Sequence, residues 1–268
     1  GLFSFGSKLL LSGLLSVIYT NLYTLVIGKK YSATDAGFYN RAYSLAQFPS
    51  VNITEIITRA IFPIQCELQN DTQRLETSFI QYLRMACFII FPLMTGLAVL
   101  AKPLVLVVLT EKWMHAAELL SILCIAYMWY PVMTLNNQIL NVKGKSDYYL
   151  KAEVIKKIIA IGILIATIPW GTRVLCGGII IYNLLDCVVA IYYSKKVIRT
   201  GYWQQLKNII PLFLLSLLMG SIMFSVVMST TLPMLQLVAG IVAGISSYVI
   251  LSYLFHVKEF SFLSSIFT

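Results

Sequence analysis

IIPLFLLSLLMGSIMFSVVMSTTLPMLQLVAGIVAGISSYVILSYLF, residues 209–255, runs without a single Asp, Glu, Lys, Arg or His. Only the turn formers of Ser229–Pro233 interrupt it. Each half supplies the roughly 20 apolar residues that a helix needs to cross a bilayer. No water satisfies the backbone inside lipid, so both halves, Ile209–Thr231 and Met234–Phe255, must be helical. Six further segments upstream read the same way: Lys8–Ile27, Ala42–Ile64, Arg84–Ala101, Leu119–Leu140, Lys151–Trp170 and Val174–Tyr193. The expected fold is therefore all-α, a polytopic membrane protein of about eight transmembrane helices.

Composition agrees. The chain is 59% hydrophobic and only 12% charged, with a mean hydropathy of +0.82, far from the soluble average. Its net charge of +9 would point to nucleic acid in a soluble domain. Here no nucleic-acid partner is expected, because the cations fall in loops that face anionic membrane lipids. Fourteen of the twenty Lys and Arg collect on one face of the eight-span arrangement: Lys8, Arg59, Arg74, Arg84, Lys143, Lys145, Lys151, Lys156, Lys157, Lys195, Lys196, Arg199, Lys207 and Lys258. The other six, Lys29, Lys30, Arg41, Lys102, Lys112 and Arg173, lie opposite. By the positive-inside rule the richer face is cytoplasmic, and both ends of the chain with it. Cys66, Cys87, Cys124, Cys176 and Cys187 lack metal or redox spacing and read as small core residues. The chain opens on Gly1 rather than Met, with no signal peptide, and is expected to be part of a longer protein.

The loops divide the chain into a six-helix bundle, residues 1–194, and a unit of residues 195–268 made of a basic cytoplasmic link (Ser194–Asn208) and a helical hairpin. Gly240 and Gly244 form a GxxxG pair on the last helix. Lys102–Ala117, closed by Glu111, Lys112 and Trp113, is expected to form an interfacial helix.

Polar residues concentrate in the second span. At 100° per residue Ser44, Gln47, Asn52, Glu55, Thr58 and Arg59 share one face. Glu55 lies mid-span with Arg59 one turn away, and an uncompensated charge there costs a few kcal/mol. The pair is either a lock between helices or the wall of a cavity that meets substrate or a coupling ion. Pro49 and Pro63 are expected to bend or end this helix. In the first span Lys8 is either an interface anchor or a cavity residue. In the sixth, Asn183 and Asp186 sit one turn apart; Asp186 is either a protonation or ion-binding site or one end of an interhelical hydrogen bond. Thr134, Asn136, Asn137 and Gln138 cluster at the inner end of the fourth. His115 and His256 have no ligand partner at useful spacing, and no phosphate loop, serine elbow or zinc motif appears. Catalysis, a metal and a cofactor are accordingly not expected.

Several short motifs carry a family resemblance: Phe5-Gly-Ser-Lys-Leu-Leu, Ala36-Gly-Phe-Tyr-Asn-Arg-Ala, Phe62-Pro, Lys112-Trp113, Leu135-Asn-Asn-Gln-Ile-Leu-Asn-Val-Lys-Gly-Lys-Ser-Asp and Lys151-Ala-Glu-Val-Ile-Lys-Lys. They resemble the second lobe of Wzx-type polysaccharide flippases of the MATE-like superfamily. The resemblance implies two pseudo-symmetric six-helix lobes, of which residues 1–194 form the second, with the hairpin matching the last two helices of longer members. It implies translocation of undecaprenyl-pyrophosphate-linked oligosaccharide across the bacterial inner membrane by alternating access, in lipopolysaccharide, capsule or exopolysaccharide synthesis. Lys8, Arg41, Gln47, Asn52 and Arg59 would then meet the substrate, and Glu55 or Asp186 would couple to H+ or Na+. A polysaccharide polymerase and a chain-length regulator are the partner proteins implied. The main alternative is a MATE-type multidrug exporter, followed by a membrane-embedded polymerase or acyltransferase.

Overall fold

Ser32 opens the first long helix. Its backbone is extended and its hydroxyl accepts from the Asp35 N–H at 3.0 Å, an N-cap that satisfies an orphan donor. The computed structural model describes residue 10, residues 13–14 and residues 21–260. Residues 21–30 are helical. The following helices are α1 (Ala33–Glu67), α2 (Thr72–Val108), α3 (Met114–Tyr127), α4 (Tyr130–Val142), α5 (Ser146–Thr167), α6 (Thr172–Ser194), α7 (Tyr202–Met228) and α8 (Pro233–Leu254). Lys8, with Ser12, Ser16 and Tyr19 of its helix, lies outside the described residues.

Among the described residues, five stretches are long and apolar enough to cross a membrane: α2, Glu111–Val142, α6, α7 and α8. Their outward faces carry large apolar side chains, as on α8, where Leu235, Val238, Val242, Ile245 and Val249 are exposed. Such a surface suits lipid and not water. The chain is a multi-pass helical membrane protein. The two other long helices, α1 and α5, are less apolar, and both border the polar cavity described below.

Helix α2 is the central post. At 37 residues it is about 55 Å long, so it overshoots the bilayer at the basic end, where Asp71 caps it. It packs against α1, α3, α4, α7 and α8. Phe91 of α2, Trp129 and Phe213 of α7 form an aromatic cluster with ring centroids 5.4–5.9 Å apart. Gly240 and Gly244 let α8 press closely: an added Cβ would come within 2.6 Å of Leu100 and 2.7 Å of Met223, respectively. Cys87, Cys124, Cys176 and Cys187 are buried and Cys66 is half-buried, all as free thiols.

Two expectations need correction, the interfacial helix and the continuous fourth span, and two others gain detail. No separate interfacial helix occupies Lys102–Ala117; α2 continues to Val108, and a single 3-10 turn at Glu111–Trp113 leads into α3. Of the two outcomes expected of Pro49 and Pro63, a bend or an end, neither proline ends α1, which runs on to Glu67, as neighbouring helices permit in a packed bundle. The basic link is in part packed. Ile198 and Thr200 are buried, α7 begins within it at Tyr202, and Gln205 exchanges two 2.9 Å hydrogen bonds with Asn136. The fourth span is not continuous, and that break matters most.

Pro131 breaks it. A proline cannot donate to the carbonyl four residues back and its ring clashes there, so α3 ends at Tyr127 and α4 restarts at Tyr130. The freed carbonyls need donors in a low-dielectric interior. Ser50 supplies one, donating to the Tyr127 carbonyl at 2.7 Å. Asn183 donates to Ala126 at 2.9 Å. The Cys187 thiol faces the Trp129 carbonyl at 3.9 Å. A serine in α1 and two residues of α6 thereby hold a mid-bundle break that sits on the cavity edge.

Candidate functional site

A cavity of about 650 Å³ lies between α1, the α3–α4 break, α5 and α6. Its walls run from the middle of these helices toward the end of the bundle that carries Lys143, Lys145, Lys195 and Lys196. Polar side chains dominate it. Gln47, Thr58 and Arg59 come from α1; Thr134, Asn137, Gln138 and Asn141 from α4; Glu153 and Lys157 from α5; Asn183 and Asp186 from α6. Tyr43, Tyr127, Tyr130, Tyr149 and Tyr182 complete the lining. Above it, Tyr23, Tyr39, Tyr43 and Tyr127 stack edge or face on with centroids 5.7–6.2 Å apart. Tyr43 and Tyr127 of this cluster also line the cavity.

Helical geometry explains the convergence. On α1 the shared face predicted at 100° per residue turns Gln47, Thr58 and Arg59 inward. Glu55 holds Arg59 through a 2.8 Å ion pair. The pair bridges one turn of α1. Arg59 stays 80% exposed on its side chain, which leaves the guanidinium able to meet an anion. Gln138 ties α4 to α1 by donating to the Thr58 carbonyl and to Gln65 at 3.1 Å.

The other predicted residues lie elsewhere. Arg41 sits at the opposite end of the bundle with its guanidinium 5.7 Å from the Trp113 ring centre, outside the cavity lining. Asn52 is exposed and donates to its own helix at the Phe48 carbonyl, 2.8 Å away. Asn136 turns away from its neighbours Asn137 and Gln138, toward Gln205 and Ser194. His115 bonds Thr172 at 3.2 Å and belongs to the Arg41–Trp113 end.

The α5–α6 wall holds what the sequence reading missed. Lys156 is buried, 1% exposed on its side chain, and forms ion pairs with Asp186 at 2.7 Å and Glu153 at 3.1 Å. Its third partner is the Asn137 carbonyl oxygen at 3.1 Å. Lys157 reaches Glu153 at 3.8 Å, and the Tyr182 hydroxyl donates to Asp186 at 3.3 Å. Lys156 had been grouped with the lipid-facing cations because it lies near the start of its span. Its position three residues after Glu153 was the available signal, since i,i+3 residues meet on a helix. Asp186 on α6 was itself a candidate in the sequence, but nothing there paired it with Lys156.

Comparison with known proteins can be set against this geometry. Residues 1–118 match the family described as Polysaccharide biosynthesis protein. The lipopolysaccharide biosynthesis protein WzxC of Escherichia coli K12 is 30% identical over 215 residues, covering 80% of this chain and 44% of that protein. The teichuronic acid biosynthesis protein TuaB of Bacillus subtilis 168 is 28% identical over 232 residues, 85% of this chain and 47% of that protein. A solved structure of the lipid II flippase MurJ in an inward closed conformation superposes with a TM-score of 0.75 at 16% identity. It covers 93% of this chain and 52% of that one. The chain thus shares the fold of that structure over most of its length. These matches support the resemblance read from the motifs: over most of its length the chain is similar to polysaccharide biosynthesis proteins such as WzxC and TuaB. It spans about half the length of the curated relatives it matches.

Proposed function

We propose that this chain forms one lobe and the closing hairpin of a transporter that moves undecaprenyl-pyrophosphate-linked oligosaccharide from the inner to the outer leaflet of the bacterial cytoplasmic membrane. The step serves surface-polysaccharide biosynthesis and no covalent chemistry. One observation carries the reading: a polar, tyrosine-rich cavity opens inside an apolar bundle, with an exposed Arg59 at its wall. A charged glycan headgroup cannot cross about 30 Å of hydrocarbon unaided. Such a cavity shelters it while the lipid tail stays in the membrane, and rocking of this lobe against an opposing one alternates the opening. Guanidinium suits a pyrophosphate oxygen pair, and tyrosines offer sugars both an apolar face and a hydroxyl. Lys8, Arg41 and Asn52 extend the substrate contacts toward the opposing lobe. The basic end is cytoplasmic, as are both ends of the chain. Glu55 or Asp186 carries the coupling H+ or Na+, and a polymerase and a chain-length regulator act on the delivered product.

The drug-exporter alternative is disfavoured by charge. A cationic drug wants an unpaired carboxylate, and here Glu55, Glu153 and Asp186 each already hold a cation. Deleting the full-length gene tests the proposal. Loss of surface polysaccharide with lipid-linked oligosaccharide stranded on the inner leaflet is the expected result. Unchanged glycans together with increased drug sensitivity would replace it with the exporter.

A further inference from the structure

Three oxygens from three helices converge on one ammonium. Asn137 Oδ1 of α4, Glu153 Oε1 of α5 and Asp186 Oδ1 of α6 lie 3.1, 3.1 and 2.7 Å from Lys156 Nζ. The ammonium is shut off from the cavity, whereas Glu153, Asp186 and Asn137 line it. A hard oxygen cage with two carboxylates is the donor set that selects a small cation. In this chain a lysine fills it. Charges facing the cage are Glu153, Asp186, Lys156 and Lys157, with the hydroxyls of Tyr149 and Tyr182 beside them. Two positive and two negative charges balance, so an added free cation would leave the site over-charged in a poorly solvated wall.

We propose that Lys156 is a tethered cation standing where a free monovalent ion would otherwise bind, so that Asp186 takes up no Na+ during transport. Building on the transport reading above, this removes Asp186 from the coupling pair. It leaves Glu55, whose partner Arg59 is solvent-exposed, as the carboxylate open to a coupling ion. Removing the ammonium would leave the cage with one net negative charge and three oxygens aimed at a common point, and a monovalent cation would then restore neutrality.

The test reads unfolding midpoints of the purified full-length protein in NaCl, LiCl, KCl and choline chloride at constant ionic strength. A ligand that binds only the folded state raises the midpoint. Any salt-specific rise of the wild-type midpoint is expected to persist unchanged in Asp186→Asn. Lys156→Ala is expected to unfold earlier in choline and to recover by several degrees in at least one of the metal salts. Lys156→Ala combined with Asp186→Asn is expected to lose that recovery. A merely structural ion pair would leave Lys156→Ala equally weakened in every salt, and that result overturns the proposal. So does a sodium-specific rise in the wild type that Asp186→Asn abolishes, a measurement that stands even where Lys156→Ala does not fold. Because no glycan enters these measurements, their failure is separable from failure of the transport reading.

Discussion

Arg59 and Lys156 are both cations inside expected spans, and they divide what a residue pattern can reveal. Arg59 was legible because its partner Glu55 lies four residues away on the same helix, where 100° geometry fixes the shared face. Lys156 was not, because its main partner is on another helix and sequence separation says nothing about which helices touch. Its place five residues into the expected span, about 7.5 Å, is within reach of headgroups for a lysine and gave no warning. Asn183 shows the same limit, since its partner is the Ala126 carbonyl beside the α3–α4 break in a different helix. Arg59→Ala should reduce glycolipid translocation by roughly tenfold or more, the worth of a charged hydrogen bond, with Arg59→Lys losing less. Leaflet-resolved quantification of the lipid-linked oligosaccharide checks this. Asn183→Ala should cost roughly 1 kcal/mol, in the range of interhelical hydrogen bonds in membranes, measured by thermal unfolding in detergent.

Among the elements, long apolar runs announced themselves, and the span centres of α2, α6, α7 and α8 fall where hydropathy put them. The ends did not. Hydropathy marks the part of a helix in hydrocarbon, whereas capping and neighbours decide how far it continues, which is why α2 begins at Thr72 and not at Arg84. The break at Met128–Trp129 was missed because Pro131 reads as an ordinary apolar residue in a window average. Pro131→Leu should let α3 and α4 run together, taking the Tyr127 carbonyl from Ser50. Transport should fall while expression holds; equal transport by the variant would show that the break has no part in the cycle. The glycines of α8 carry a steric prediction. Gly240→Val places its side chain against Leu100 and Val227 and should destabilise hairpin docking by about 1–3 kcal/mol, as overpacking does. A midpoint unchanged in the variant would contradict the close contact.

For the whole molecule, the basic end of the bundle coincides with the mouth-ward half of the cavity, so orientation and function are linked. Cysteines placed at Lys145 and Lys195 should react with a membrane-impermeant thiol reagent only after the cytoplasmic side is opened. Reaction in intact cells would invert the topology. The central claim is that the cavity holds the headgroup, and it was only half visible in sequence: one helix face pointed to it, but its other walls required the packing. The most direct measurement is crosslinking in membranes from single-substituted full-length protein, using a photoreactive group at Gln47, at Thr134 and at the lipid-facing Val242. The account predicts adducts to the oligosaccharide headgroup at Gln47 and Thr134 and none at Val242. Headgroup adducts absent from both cavity positions, or as abundant at Val242, would contradict it.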